Sequence, residues 1–229
     1  MEPEFIDIIA RILKMVGWAF LPFLLTPILC LIFTKNTRLS NFQFSLIEII
    51  DGVNLKIGEM TKWLLVILVV SIAFGVIALS IFGQSWTKLD ESATYFHALI
   101  IFLGSAATLL AGEHVRVDIF YASMRVKAKA LVDIIGFYGL LIPFCLVIIW
   151  HAQGTIALTW LSLEGSAESD GIRGVYLLKT CLSIFGIMLL TQGMAIAGRA
   201  ALLLTGKDQP KLPDYIDPLF GAQFMEPKS

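Results

Sequence analysis

The stretch Trp63–Gly83, WLLVILVVSIAFGVIALSIFG, decides the fold. It carries no ionisable side chain. A helix rises about 1.5 Å per residue, so about 20 such residues cross a hydrocarbon core of about 30 Å. The run is continuously apolar rather than alternating, which reads as a helix and not as a barrel strand. Three further runs pass the same test: Ser92–Ala111, Leu131–His151 and Thr180–Gly198. Composition agrees, because only 15% of the residues are charged against roughly 25% in ordinary soluble domains. The chain is therefore read as an all-α integral membrane protein with four core transmembrane helices.

A fifth, N-terminal span is expected at Met15–Phe33, kinked by Pro22 and Pro27, which membrane helices tolerate better than soluble ones. A re-entrant or surface-lying segment is the other reading of this stretch. A cleaved signal peptide fits poorly. Glu2, Glu4 and Asp7 stand where a basic region belongs, and Thr34-Lys35-Asn36 is no small-residue cleavage site.

Lysine and arginine set the expected orientation. Residues 34–62 carry Lys35, Arg38, Lys56 and Lys62, whereas the loop 84–91 has only Lys88. The loop 112–130 carries Arg116, Arg125, Lys127 and Lys129; the stretch 152–179 offsets Arg173 and Lys179 with Glu164, Glu168 and Asp170. Rich and poor segments alternate, as the positive-inside rule requires. The rich segments and the C-terminus, with Arg199, Lys207, Lys211 and Lys228, are expected in the cytoplasm. If Met15–Phe33 spans, the N-terminus lies outside.

Two amphipathic helices are expected beside the spans. Phe44–Lys62 places Leu46, Ile49, Ile50, Val53, Ile57 and Met60 on one face at about 100° per residue. Glu48, Asp51, Glu59 and Lys62 take the opposite face. Such a helix lies along the cytoplasmic membrane interface or packs on a protein neighbour; the pattern fits both. Ala152–Leu163, with Trp160, reads similarly on the outer side. No internal repeat is visible, and an odd span count argues against a complete inverted-repeat transporter.

Ionisable groups within a span are costly and mark function. Here the span cores are almost empty of them. His97 lies near the outer end of its run, Asp133 near the cytoplasmic start of the next, and His151 at that helix's end. Lys179 and Arg199 bracket the last span, with Gln192 inside it. A proton relay, an ion site or an intramembrane protease needs carboxylates or paired polar groups near the midplane. Cys30, Cys145 and Cys181 lie in apolar runs and form neither a disulfide framework nor a metal spacing. The net charge of −1 gives no sign of nucleic-acid binding.

The polar density sits in two loop clusters. Gly112-Glu113-His114-Val115-Arg116-Val117-Asp118 follows the second core span, and helical spacing there pairs Glu113 with Arg116 and His114 with Asp118. One histidine with flanking acids is too few ligands for a metal, so a charge network or a subunit contact is expected. The second cluster runs from Trp160 to Lys179, with Glu164, Ser166, Glu168, Ser169, Asp170 and Gly171. It reads either as a solvated loop or as a docking surface.

At these clusters the chain resembles the small permease (DctQ-type) subunit of tripartite ATP-independent periplasmic, or TRAP, transporters. The strongest piece is Gly104–Tyr121, GSAATLLAGEHVRVDIFY, which is similar to the family's run into an HVRVD signature. Phe82-Gly83 and Glu91 fit upstream; Trp160, Glu164, Ser166, Gly171, Lys179, Gln192, Arg199 and Gly206 follow in the family's order. Leu79-Ser80 stands where the family often has Arg-Tyr, and Ile172 where proline often follows the glycine. The resemblance runs from about Phe44 to Gly206. It divides the chain into an added N-terminal segment (1–43), a small-permease membrane domain (44–206) and a cytoplasmic tail (207–229).

The resemblance implies a multi-pass protein of the bacterial inner membrane. Its implied partners are the lipid bilayer, a large permease subunit and a periplasmic solute-binding protein, with no nucleic acid. The large subunit would carry substrate and sodium, and this chain would be a scaffold for uptake of an organic acid or similar solute. No catalytic, cofactor or metal residue is expected. The structural or interface candidates are Glu91, Glu113, His114, Arg116, Asp118, Glu164, Lys179, Gln192 and Arg199. The competing readings are a lipid-modifying membrane enzyme, for which only Glu164–Asp170 could supply catalytic groups, and an unrelated membrane assembly protein.

Overall fold

The computed structural model describes residues 22–112 and 124–212. These form one short helix, α1 (Thr26–Ile32), and four long ones: α2 (Thr37–Phe82), α3 (Thr87–Leu110), α4 (Val126–Ser162) and α5 (Val175–Leu204). All four long helices have the length and hydropathy to cross a membrane, and each contains one of the core spans expected from the sequence. Of the expected span Met15–Phe33, residues 15–21 lie outside the described residues. The remainder contains α1, with Pro27 at its start.

Helix α2 differs from expectation. The segment Phe44–Lys62 is not a separate interfacial helix but runs unbroken into the span, giving 46 residues in one helix. Lys56, Glu59 and Lys62 end the apolar run, but a charge does not interrupt backbone hydrogen bonding, and no proline stands between Thr37 and Phe82. The helix starts where Asn36 Oδ1 accepts from the amides of Arg38 (3.1 Å) and Leu39 (3.3 Å). It stops at Gly83, whose left-handed φ of +61° lets the chain reverse. The boundary expected at residues 43/44 falls inside this helix.

The outer amphipathic segment Ala152–Leu163 is likewise the continuation of a span, since α4 runs on to Ser162. Helix α4 widens into a π-helical turn at Phe137–Leu141. Pro143 stands two residues beyond it; proline has no amide hydrogen, and its ring crowds the carbonyl four residues back, so the wider turn relieves both problems.

Helix α5 is the stem of the fold. Within its apolar window 56% lies inside the protein, against 11% to 17% for the other three long helices. It packs on α1, α2, α3 and α4. Small residues make this possible. A Cβ at Gly193 would meet Phe137 Cδ2 at 2.9 Å and collide with Leu141, so the two ends of the π turn close directly on the α5 backbone. Between α2 and α3 the close approach is at Gly58, where a Cβ would sit 2.5 Å from that of Ala107.

Candidate functional site

Four buried polar groups form a network between α2 and α5. Gln192 and Arg199 lie seven residues, two helical turns, apart on α5 and so share a face. Asp51 and Asn54 share a face of α2 at a spacing of three. All four are at most 5% exposed. The amide Nε2 of Gln192 donates to Asp51 Oδ1 at 2.9 Å, and Asn54 Nδ2 donates to Gln192 Oε1 at 2.6 Å. The second carboxylate oxygen of Asp51 takes the Arg199 guanidinium as an ion pair. Arg199 also donates to the carbonyl of Pro210, so the segment after α5 folds back over its own helix. Lys207 Nζ reinforces this by donating to the Asn36 carbonyl at 3.4 Å.

This arrangement is neutral as a whole, and both oxygens of Asp51 are taken by protein donors. It ties α2, α5 and the post-helix segment together. Beside it sits Gln43, fully buried, neither of whose amide atoms has a protein partner. A Cβ at Gly198 would strike that amide and approach Ile47 Cδ1 at 3.2 Å.

The loop joining α4 to α5, residues 163–174, called the outer loop after its expected side, carries the second cluster. Leu163 caps α4 with a left-handed φ of +46°, which turns the chain so that Glu164 meets Lys179 at 2.7 Å. Trp160 Nε1 donates to Thr180 Oγ1 at 2.9 Å, and its ring stands edge-on to Tyr176. Glu91, at the start of α3, holds the far side of the loop. It accepts from the Ser166 hydroxyl and, at 2.6 Å, from the Ile172 amide. A side chain at position 171 would drive a Cβ into both Ser166 and Glu91, so glycine is the residue that lets this clasp close. Lys88 and Asp170 add an exposed ion pair.

The residues singled out in the sequence thus fall into three groups. Glu91, Glu164 and Lys179 meet around the outer loop, and Gln192 and Arg199 meet in the buried network. Glu113, His114, Arg116 and Asp118 lie outside the described residues. Asp51 and Asn54 are not among the candidates drawn from the sequence, which places Asp51 only on the face opposite the apolar one. Their signal was weak, because an arginine at the end of an apolar span can reach the interface as well as pair with a carboxylate, and only the spacing of Asp51 and Asn54 on one helix face marked them. Among the described residues there is no group of three or more His, Cys, Asp or Glu placed to hold a metal.

A family model described as "Tripartite ATP-independent periplasmic transporters, DctQ component" matches residues 68–202, more than half of the chain. The chain belongs to the DctQ family. Comparison with curated proteins and with solved structures returned no match. As a DctQ chain it is a membrane component of a tripartite transporter. The matched region contains Glu91, the outer loop, Lys179, Gln192 and Arg199. It starts after Asp51 and Asn54, so the buried network joins two residues of the matched region to two on the N-terminal extension of α2.

Proposed function

We infer that this DctQ chain is the scaffold of its transporter. It would hold a large permease subunit in the inner membrane while that subunit carries sodium and an organic acid or similar solute delivered by a binding protein. The observation that carries this reading is the state of Asp51. Among the described residues it is the buried carboxylate of the helical core, and its charge is compensated from inside the protein, by the Gln192 amide on one oxygen and the Arg199 guanidinium on the other.

The outer faces support the same reading. Apolar side chains stay exposed along α2 from Phe42 through Ile49, Val53, Met60 and Ile67 to Phe82. That is about 60 Å of helix, about twice the thickness of the hydrocarbon core. Lipid covers such a stripe only if the helix tilts steeply; a large subunit lying along it covers the remainder. Reconstitution tests the function. The chain alone in liposomes should give no sodium-driven uptake, and addition of the large subunit and binding protein should restore it. Uptake by the isolated chain would refute a scaffold role.

A further inference from the structure

A groove of about 200 Å³ opens on the outer half of the molecule, between α2, the turn after Gly83 and the first turn of α3. Its walls are apolar on the α2 side, with Ile72, Val76 and Leu79, and Leu89 closes it from α3. At its upper rim are Gln84, Ser85 and Trp86, whose indole stacks on Phe74 at 6.0 Å. Asp90 lies in its wall. The carboxylate rests over Gly75, where a Cβ would sit 3.6 Å from Oδ1, and the Ser85 hydroxyl donates to Oδ2 at 3.3 Å.

Asp90 has no ion-pair partner among the described residues. The adjacent Lys88 is spent on Asp170, and Glu91 turns to the outer loop. Depth makes this significant. Asp90 is level with Gly75, seven residues before the apolar end of α2 at Phe82, or about 10 Å of helix rise. The neighbouring Val76, Ile77 and Leu79 are exposed apolar side chains. Asp90 stands in the first turn of α3, where the helix dipole favours a carboxylate, and a cation at this apolar surface would complete its compensation.

We propose that this groove binds a phospholipid with a primary-ammonium headgroup, such as phosphatidylethanolamine, from the outer leaflet. The ammonium donates to Asp90 beside Val76, the Gln84 amide and Trp86 indole offer further donors around the headgroup, and an acyl chain runs inward from there past Ile72. A headgroup that is anionic overall is repelled by Asp90. Charge complementarity selects this occupant over a bare apolar contact.

The test is native mass spectrometry of the full-length chain, delipidated in detergent and titrated with phosphatidylethanolamine or phosphatidylglycerol. The wild-type chain should retain one phosphatidylethanolamine with a preference of roughly two- to fivefold, the size expected for one favourable exposed charge pair. Asp90→Asn should remove the preference, and Asp170→Asn, outside the groove, should keep it. Val76→Trp fills the groove with the carboxylate intact and should reduce binding, so the proposal stays testable if Asp90→Asn misfolds. Equal retention of both lipids by the wild-type chain would overturn the proposal, as would a preference that survives both groove variants. A Ser85→Cys chain that crosslinks to another subunit in native membranes would overturn it in favour of a protein contact.

Discussion

Asp51 and Arg199 are 148 residues apart in the chain and form an ion pair inside the helical bundle, with side chains 7% and 3% exposed. The pair fixes the N-terminal extension of α2 against the last turns of α5, and through Pro210 it fixes the segment that follows. Three pieces of chain that no local signal connects are therefore held by one guanidinium.

Removing one partner leaves the other charge buried without compensation, which costs about 3–5 kcal/mol. Arg199→Ala and Asp51→Ala should each lower the melting temperature of the purified chain steeply. The double variant Asp51→Leu with Arg199→Met should be milder than either, because buried pairs are often replaced by apolar groups at little cost. Melting temperatures of the wild-type chain, Asp51→Leu, Arg199→Met and their combination form a double-mutant cycle. Additive losses would show that the two side chains are not energetically coupled.

Gln43 and Gly198 should behave oppositely. Gly198→Ala pushes a methyl group into the Gln43 amide, and overpacking of this kind costs about 1–3 kcal/mol. Gln43→Leu removes two buried polar atoms that have no protein partner. It should leave stability unchanged or raise it, since unsatisfied buried polar groups are themselves unfavourable. It should also reduce the damage done by Gly198→Ala. A large loss for Gln43→Leu alone would mean that the amide is satisfied by a buried water.

These residues show what the sequence discloses. The four spans were legible because lipid imposes length and hydropathy on each of them separately. Arg199 and Gln192 were legible as polar groups in an apolar run. Asp51 was not, because the amphipathic reading of Phe44–Lys62 set the apolar face against the membrane interface or a protein neighbour and placed Asp51 on the opposite face. Here Ile49, Val53 and Met60 are exposed while Gln43, Asp51 and Asn54 are buried. Next to a membrane, apolar side chains gain little by turning inward, so a polar stripe packs inside and periodicity alone cannot assign the sides. The outer clasp was half legible. Glu91, Ser166 and Gly171 stood in the expected order, but order carries no distance, and only the fold brings positions 91 and 166 together.

That clasp gives the next expectation. Glu91→Gln weakens the hold on the Ser166 hydroxyl and the Ile172 amide, and Gly171→Ala cannot close it without displacement. Both should accelerate amide hydrogen exchange in residues 164–174 while leaving α5 protected. Lys88→Gln breaks only an exposed pair, worth about 0–1 kcal/mol, and should leave exchange there unchanged. Equal acceleration in all three variants would mean that the loop is held by its general surroundings rather than by Glu91.

The orientation of the chain rests on its lysines and arginines, and labelling decides it. Ser169, in the loop after α4, and Lys127, in the first turn of α4, are both exposed on the protein surface at opposite ends of that helix. The outer loop holds Glu164, Glu168 and Asp170 beside few cations, whereas the approach to α4 holds Arg125, Lys127 and Lys129. The positive-inside rule then places Ser169 outside and Lys127, with the C-terminus, in the cytoplasm. In a Cys181→Ala background, which removes the partly accessible native thiol, a membrane-impermeant maleimide added to intact cells should label Ser169→Cys. Lys127→Cys should react only after the membrane is opened. Labelling in the reverse order would invert the topology and put the Glu91 clasp, together with the Asp90 groove, on the cytoplasmic side.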